Sequence, residues 1–213
     1  MNATRTWLFT SVYPRGFVPS PPSVPAELLA GLAGALARLR AAWYVFGAQA
    51  VVIWGRPRLT ADIDVTVRLD PEEPERLVRA LEDAGFALRF GNAEPFVRRT
   101  RVLPFVHTGS GLPLDVVLAG PGLEELFLSR AVPVTIGDLV VPVISPEDLI
   151  ATKILAGREK DIEDVRSILR ERYSSLDLAL IRATLVLIEE ALGQSDLRPL
   201  FERELAAEAA RRR

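Results

Sequence analysis

The change of pattern near residue 145 constrains the fold more than any other feature. From "SPEDLIATKILAG" to the C-terminus the apolar residues recur at three- and four-residue spacing, which predicts a helix there and further helices over 160–172, 176–192 and 196–210. Ser145 stands as the cap of the first, Pro146 at its first position and Asp148 where a capping box places its acid. Before residue 145, short strand-like runs mix with helices, so the chain reads as an α+β fold: a mixed sheet core carrying a C-terminal helical region. The expected division is an extended Pro-rich arm over 1–25, a core over 26–144 and a helical region over 145–213.

The arm holds five prolines, and Trp7, Phe9 and Tyr13 give it aromatic side chains to pack on a neighbour. After it, "AELLAGLAGALARLRA" predicts a helix, "WYVFG" a buried strand ending at Gly47, and "AQAVVIWG" a short helix. A strand over "DIDVTVRL", a helix over "EEPERLVRALEDAG" and strands over "FALRF" and 96–106 follow. "GLPLDVVLAG" predicts a strand with Asp115 at its middle, and "VPVTIGDLVVPVI" a hairpin turning on Gly137 and Asp138.

Several chemistries are excluded by what is missing. The chain has no cysteine and a single histidine, His107, at the end of a strand pattern, so thiolate zinc sites, cysteine nucleophiles and disulfides are ruled out. A formal net charge of −2 gives no global field for nucleic acid, and "RRTR" at 98–101 and the terminal "RRR" are the dense basic stretches. No secretory or membrane-spanning apolar segment is evident, and a soluble cytoplasmic protein is expected.

"RLTADIDV", residues 58–65, then raises the question of function. Strands disfavour Asp, and alternation puts Asp62 and Asp64 on one face, where like charges repel. Converging carboxylates of this kind hold a hard divalent cation, and Mg²⁺ needs only one or two of them when phosphate oxygens complete its shell. Asp115, in the apolar frame "PLDVVL", is the third acid. The competing account makes Asp62 a turn cap after Thr60, Asp64 an ion-pair partner of Arg56 or Arg58, and Asp115 a bridging acid.

Upstream, the amides that open the helix after Gly47 form an anion site, with the triphosphate between that turn and the metals. Thr60 and Arg58 lie on the acidic face, where the Thr60 hydroxyl can donate to a phosphate. Downstream, both lysines of a chain with 26 basic residues fall in "KILAGREKD", as Lys153 and Lys160. A compact ammonium is suited to a phosphate point-charge contact. The alternatives are chance for the lysines and an internal salt-bridge lattice for Glu159, Asp161 and Asp164.

Taken together, "FGAQAVVIWGRPRLTADIDV", "PLDVVL" and "SPEDLIATKILAGREKDIEDV" resemble the minimal nucleotidyltransferases of the DNA polymerase β superfamily, nearest to the bacterial AbiEii-type abortive-infection toxins. The resemblance covers roughly residues 40 to 170. It implies a nucleotidyltransferase fold in which Asp62, Asp64 and Asp115 are the catalytic and metal-binding carboxylates for Mg²⁺ or Mn²⁺. Gly47, Ala48, Arg58, Thr60, Lys153, Arg158 and Lys160 would bind the nucleoside triphosphate, with Asp161 in support. Ala48 stands where the family carries a serine or a second glycine.

The expected activity is transfer of a nucleoside monophosphate from an NTP to an acceptor hydroxyl on RNA or protein, with an antitoxin as partner and no membrane. The rival expectations are a catalytically silent domain of the same fold that binds a nucleotide or a protein, and a metal phosphohydrolase.

Overall fold

A computed structural model describes residues 24–57, 60, 62–69, 74–91 and 94–213. The Pro-rich arm lies outside the described residues as far as 23, and so does Arg58. The first helix already begins at Val24, and α1 (Val24–Leu39) buries Leu28, Leu32 and Leu36 on one stripe. Arg40, at φ 54°, turns the chain out of that helix and into β1 (Ala42–Phe46).

The expected helix follows as α2 (Gly47–Trp54), then β2 (Ile63–Arg68), α3 (Pro74–Glu82) and β3 (Phe86–Leu88). Two segments differ from the pattern expected of them. Residues predicted as strand from 96 onward form α4 (Glu94–Thr100), because Pro95 suits a first helical turn, Arg98 pairs with Glu94 one turn back at 2.6 Å, and the Thr100 hydroxyl donates to the Phe96 carbonyl at 2.8 Å. Arg101 at φ 58° ends the helix and starts β4 (Val102–His107). After β5 (Pro113–Leu118), the eight residues of α5 (Leu123–Arg130) carry too little amphipathic pattern to stand out in the sequence, and bury only Phe127.

The hairpin forms as expected, from β6 (Val132–Ile136) and β7 (Leu139–Val143). The helical region is α6 (Pro146–Ala156), α7 (Glu159–Arg172), α8 (Leu178–Leu192) and α9 (Leu197–Arg211). Ser145 caps α6 by accepting from the Asp148 amide at 3.0 Å. The Asp148 carboxylate, fully buried, turns to Arg130 at 3.1 Å and to the Thr184 hydroxyl.

Among the described residues, seven strands form one mixed sheet in the order β3-β4-β5-β2-β1-β7-β6, parallel at β5/β2 and β1/β7 and antiparallel elsewhere. Ile63, Val65 and Val67 of central β2 alternate into the buried core, each worth about 1.5–3 kcal/mol. Asp64 therefore points to the other face. The apolar core runs without interruption from α1 to α9. The helical region packs on this core, and residues of α6 and α7 line the same cavity as Asp64.

Candidate active site

Gly47 is where the sheet hands over to the site. β1 pairs antiparallel with β2, with Phe46 opposite Asp64, so the next residue passes directly beside that carboxylate. A Cβ on Gly47 would lie 2.0 Å from Asp64 Oδ2, and the residue's φ of 63° is the left-handed conformation that glycine adopts freely. The Ala48 amide, at the start of α2, donates to the Asp64 carboxylate. One amide that the sequence assigned to phosphate is thus already used by an acid.

Asp62 lies just before β2, not within it, and is exposed. The Thr60 hydroxyl donates to Asp62 Oδ1 at 3.0 Å and to the Asp62 carbonyl at 3.1 Å, so Thr60 orders this acid. β2 and β5 run parallel with Asp64 opposite Asp115. Burial, then repulsion from Asp62 and Asp115, pushes the Asp64 carboxyl up to about 6, against the pull of Lys153 and the Ala48 amide. Burial also raises Asp115, partly offset by Arg89, whose guanidinium forms an ion pair with it.

Opposite the acids stand the N-terminal turn of α7 and the last turns of α6. Lys153 Nζ lies 2.9 Å from Asp161 and 2.9 Å from Asp164, and its side chain is only 11% exposed. Arg158 forks onto Asp161 as well. Burial would raise the Asp161 carboxyl, but the hydrogen bonds from Arg158 and Lys153 outweigh it and hold the group below the ordinary carboxylate range. Asp161 and Asp164 are therefore bound inward by Lys153, in agreement with an internal salt-bridge lattice for these two acids, while Glu159 is exposed. Lys160 is exposed and makes no ion pair among the described residues.

A cavity of about 560 Å³ separates the two sides. Gly47, Ala48, Thr60, Asp62 and Asp64 line one wall, and Lys153, Arg158, Lys160 and Asp161 the other. Asp115 and Arg89 stand outside its lining. The volume lies in the range of small-molecule sites and suits a nucleotide.

The acids suit a divalent cation chemically: two carboxylates face the cavity, one is half-buried beside like charges, and Gly47 leaves the room a side chain would fill. Among the described residues no three His, Cys, Asp or Glu side chains group closely enough to share a metal ion. Sequence reasoning did not reach Arg89, because an arginine in the short strand expected over "FALRF" is ordinary surface chemistry. Asp164 was legible only as one charge among several in "KDIEDV", although it shares a helical face with Asp161.

Comparison with known proteins adds three findings. A family model described as a nucleotidyltransferase of unknown function, DUF6036, matches residues 27–195. No curated protein matches the sequence significantly.

Among solved structures, the solution structure of the antibiotic-resistance factor ANT(2'')-Ia is similar with a TM-score of 0.52 at 14% identity, over 78% of this chain and 91% of that one. A crystal structure of ANT(2'')-Ia in complex with adenylyl-2''-tobramycin has a TM-score of 0.52 at 16% identity, over 80% and 99% of the two chains. A nucleotidyltransferase-like antigenic protein from Paracoccidioides brasiliensis has a TM-score of 0.50 at 16% identity, over 86% and 95%. At these identities the likeness is one of fold.

Proposed function

The chain belongs to the DUF6036 nucleotidyltransferase family, and from that membership we propose that it transfers a nucleoside monophosphate from an NTP to an acceptor hydroxyl with release of pyrophosphate. One observation carries the proposal: a nucleotide-sized cavity with Asp62 and Asp64 on one wall and Lys153, Arg158 and Lys160 on the other.

In this reading Asp62 and Asp64 hold Mg²⁺ or Mn²⁺. The bound ion supplies charge neutralisation of the phosphate oxygens. Gly47 admits the nucleotide close to Asp64, and Thr60 keeps Asp62 turned to its task. Lys160, exposed at the cavity and without an ion pair among the described residues, meets the phosphates directly. Lys153 is held by Asp161 and Asp164, so it acts as a fixed positive charge beneath the triphosphate, and Arg158 keeps donors to spare beyond its pair with Asp161.

The acceptor oxygen attacks the α-phosphorus, the bond from that phosphorus to the bridging oxygen breaks, and pyrophosphate carries away the electron pair. The acceptor's proton goes to Asp115, unless a second cation occupies that carboxylate. Most of the rate comes from positioning and fixed charge.

For the acceptor, the sequence resemblance supports an RNA or protein hydroxyl and a role as the toxin of a toxin–antitoxin pair. The adenylyl-2''-tobramycin bound by ANT(2'')-Ia makes an aminoglycoside hydroxyl the small-molecule comparison. The test is titration of each NTP with and without Mg²⁺ into the wild type and Asp62→Asn/Asp64→Asn, followed by pyrophosphate release with cellular RNA, protein or tobramycin as acceptor. Metal-dependent binding lost in the double variant, with pyrophosphate released on one acceptor, is the expected result. Binding without turnover on any acceptor identifies a silent nucleotide-binding domain, and free phosphate in place of pyrophosphate identifies a phosphohydrolase. Growth arrest on expression, relieved by a neighbouring gene product, tests the toxin role.

A further inference from the structure

Arg89 has no part in the chemistry just described, yet its guanidinium rests on Asp115. The placement is set by the sheet. The Arg89 amide donates to the Pro104 carbonyl at 2.9 Å, Pro104 lies opposite Asp115 across β4 and β5, and Asp115 lies opposite Asp64 across β5 and β2. One row of residues thus crosses four adjacent chain segments, with a permanent positive charge reaching back over Pro104 to the acid beside Asp64.

Both partners keep some contact with water, Arg89 at 37% and Asp115 at 32% exposure, so acceptor molecules can approach the pair. Asp115 also stands outside the cavity that Asp62 and Asp64 line, and no trio of acids groups for a metal among the described residues. A second divalent ion would need the Asp115 carboxylate as a further ligand, and that carboxylate is engaged by Arg89.

We propose that Arg89 takes the place of a second cation: the site binds one divalent ion, at Asp62 and Asp64, while Arg89 holds Asp115 in position for the acceptor hydroxyl. Arg89 is then a positioning residue. Unlike a bound ion, its charge cannot dissociate or be removed by a chelator, because a guanidinium stays protonated in proteins. The inference rests on the nucleotidyltransferase reading and decides which of the two roles left open for Asp115 applies.

The experiment counts Mn²⁺ by electron paramagnetic resonance in the complex of the full chain with a non-hydrolysable NTP. One ion per complex is expected in the wild type, in Asp115→Asn and in Arg89→Lys, which retains a cation at the same place. Two are expected in Arg89→Ala, where Asp115 is free to join Asp64, and one again in Arg89→Ala/Asp115→Asn.

Two ions in the wild type overturn the inference and leave the proposed function standing. No ion in the wild type overturns both. A single ion in a folded Arg89→Ala, or none in Asp115→Asn, also overturns the inference. If Arg89→Ala does not fold, as judged by circular dichroism, the comparison of wild type with Asp115→Asn decides the matter.

Discussion

Asp64 shows how a single residue trades stability for chemistry. With burial and two neighbouring acids pushing its carboxyl from 3.8 up to about 6, the folded chain binds a proton between those values that the unfolded chain lacks. This group's contribution to stability therefore falls as pH rises through that window, and at pH 7.5 the ionised acid strains the fold. Asp64→Asn keeps an oxygen for the Ala48 amide and removes the charge. We expect it to raise Tm at pH 7.5 by roughly 2–8 °C, for about 1–2 kcal/mol regained, while abolishing metal-dependent nucleotide binding. The gain should shrink as pH falls from 6 towards 4 in thermal melts. A variant less stable than wild type at pH 7.5 would mean that the acid is already compensated. Asp64 and Asp115 were legible in the sequence because an acid in a strand is costly enough to need a reason, and Asp62 was found by its spacing from Asp64 although it lies just before β2. Arg89 was not, because only the register of β3, β4 and β5 brings it to Asp115.

Between elements, α6 and α7 are joined by charge as well as by apolar packing. Lys153 on α6 lies between Asp161 and Asp164 on α7, and all three are buried. Lys153→Met leaves two acids without that cation, which should cost about 3–5 kcal/mol and lower Tm by roughly 6–20 °C. Lys160→Ala, in the first turn of α7, should leave Tm almost unchanged, within about 0.5 kcal/mol, and weaken nucleotide binding instead. Calorimetry and nucleotide titration on the two variants separate a structural lysine from a binding one. The sequence could not do so, since both lysines occur in one short segment and only burial tells them apart. The same limit applies to α4 and α5. The seven residues EPFVRRT, with only Phe96 and Val97 as large apolar side chains, carry no decisive period, and α5 buries too little to leave an apolar stripe.

At the scale of the molecule, the sheet half and the helical half are stitched at the residue between them. The Ile144 amide donates to the Val45 carbonyl at 2.9 Å, and its own carbonyl accepts from Trp54 Nε1 at 2.8 Å. α7 in turn holds the end of α2, where Ser167 Oγ accepts from the Arg56 amide at 2.8 Å and Arg172 donates to the Trp54 carbonyl. We propose that the two parts behave as one cooperative unit, and calorimetry should show a single unfolding transition with matching calorimetric and van't Hoff enthalpies. Two resolved transitions would make them independent. The change of pattern at residue 145 disclosed where the strand-bearing half gives way to helices, but the strand order depends on pairings such as β1 with β7, between segments about a hundred residues apart. Among the described residues no helix is long and apolar enough to cross a membrane. The contact between Gly47 and Asp64 also bears on descent. A descendant copy that keeps the acid must keep the glycine, because any other side chain at 47 would overlap the carboxylate. Once the acid is lost, that clash lifts and only the left-handed backbone at position 47 still favours glycine, so another residue at 47 marks a lineage that has retired the acid and with it the use of the cavity.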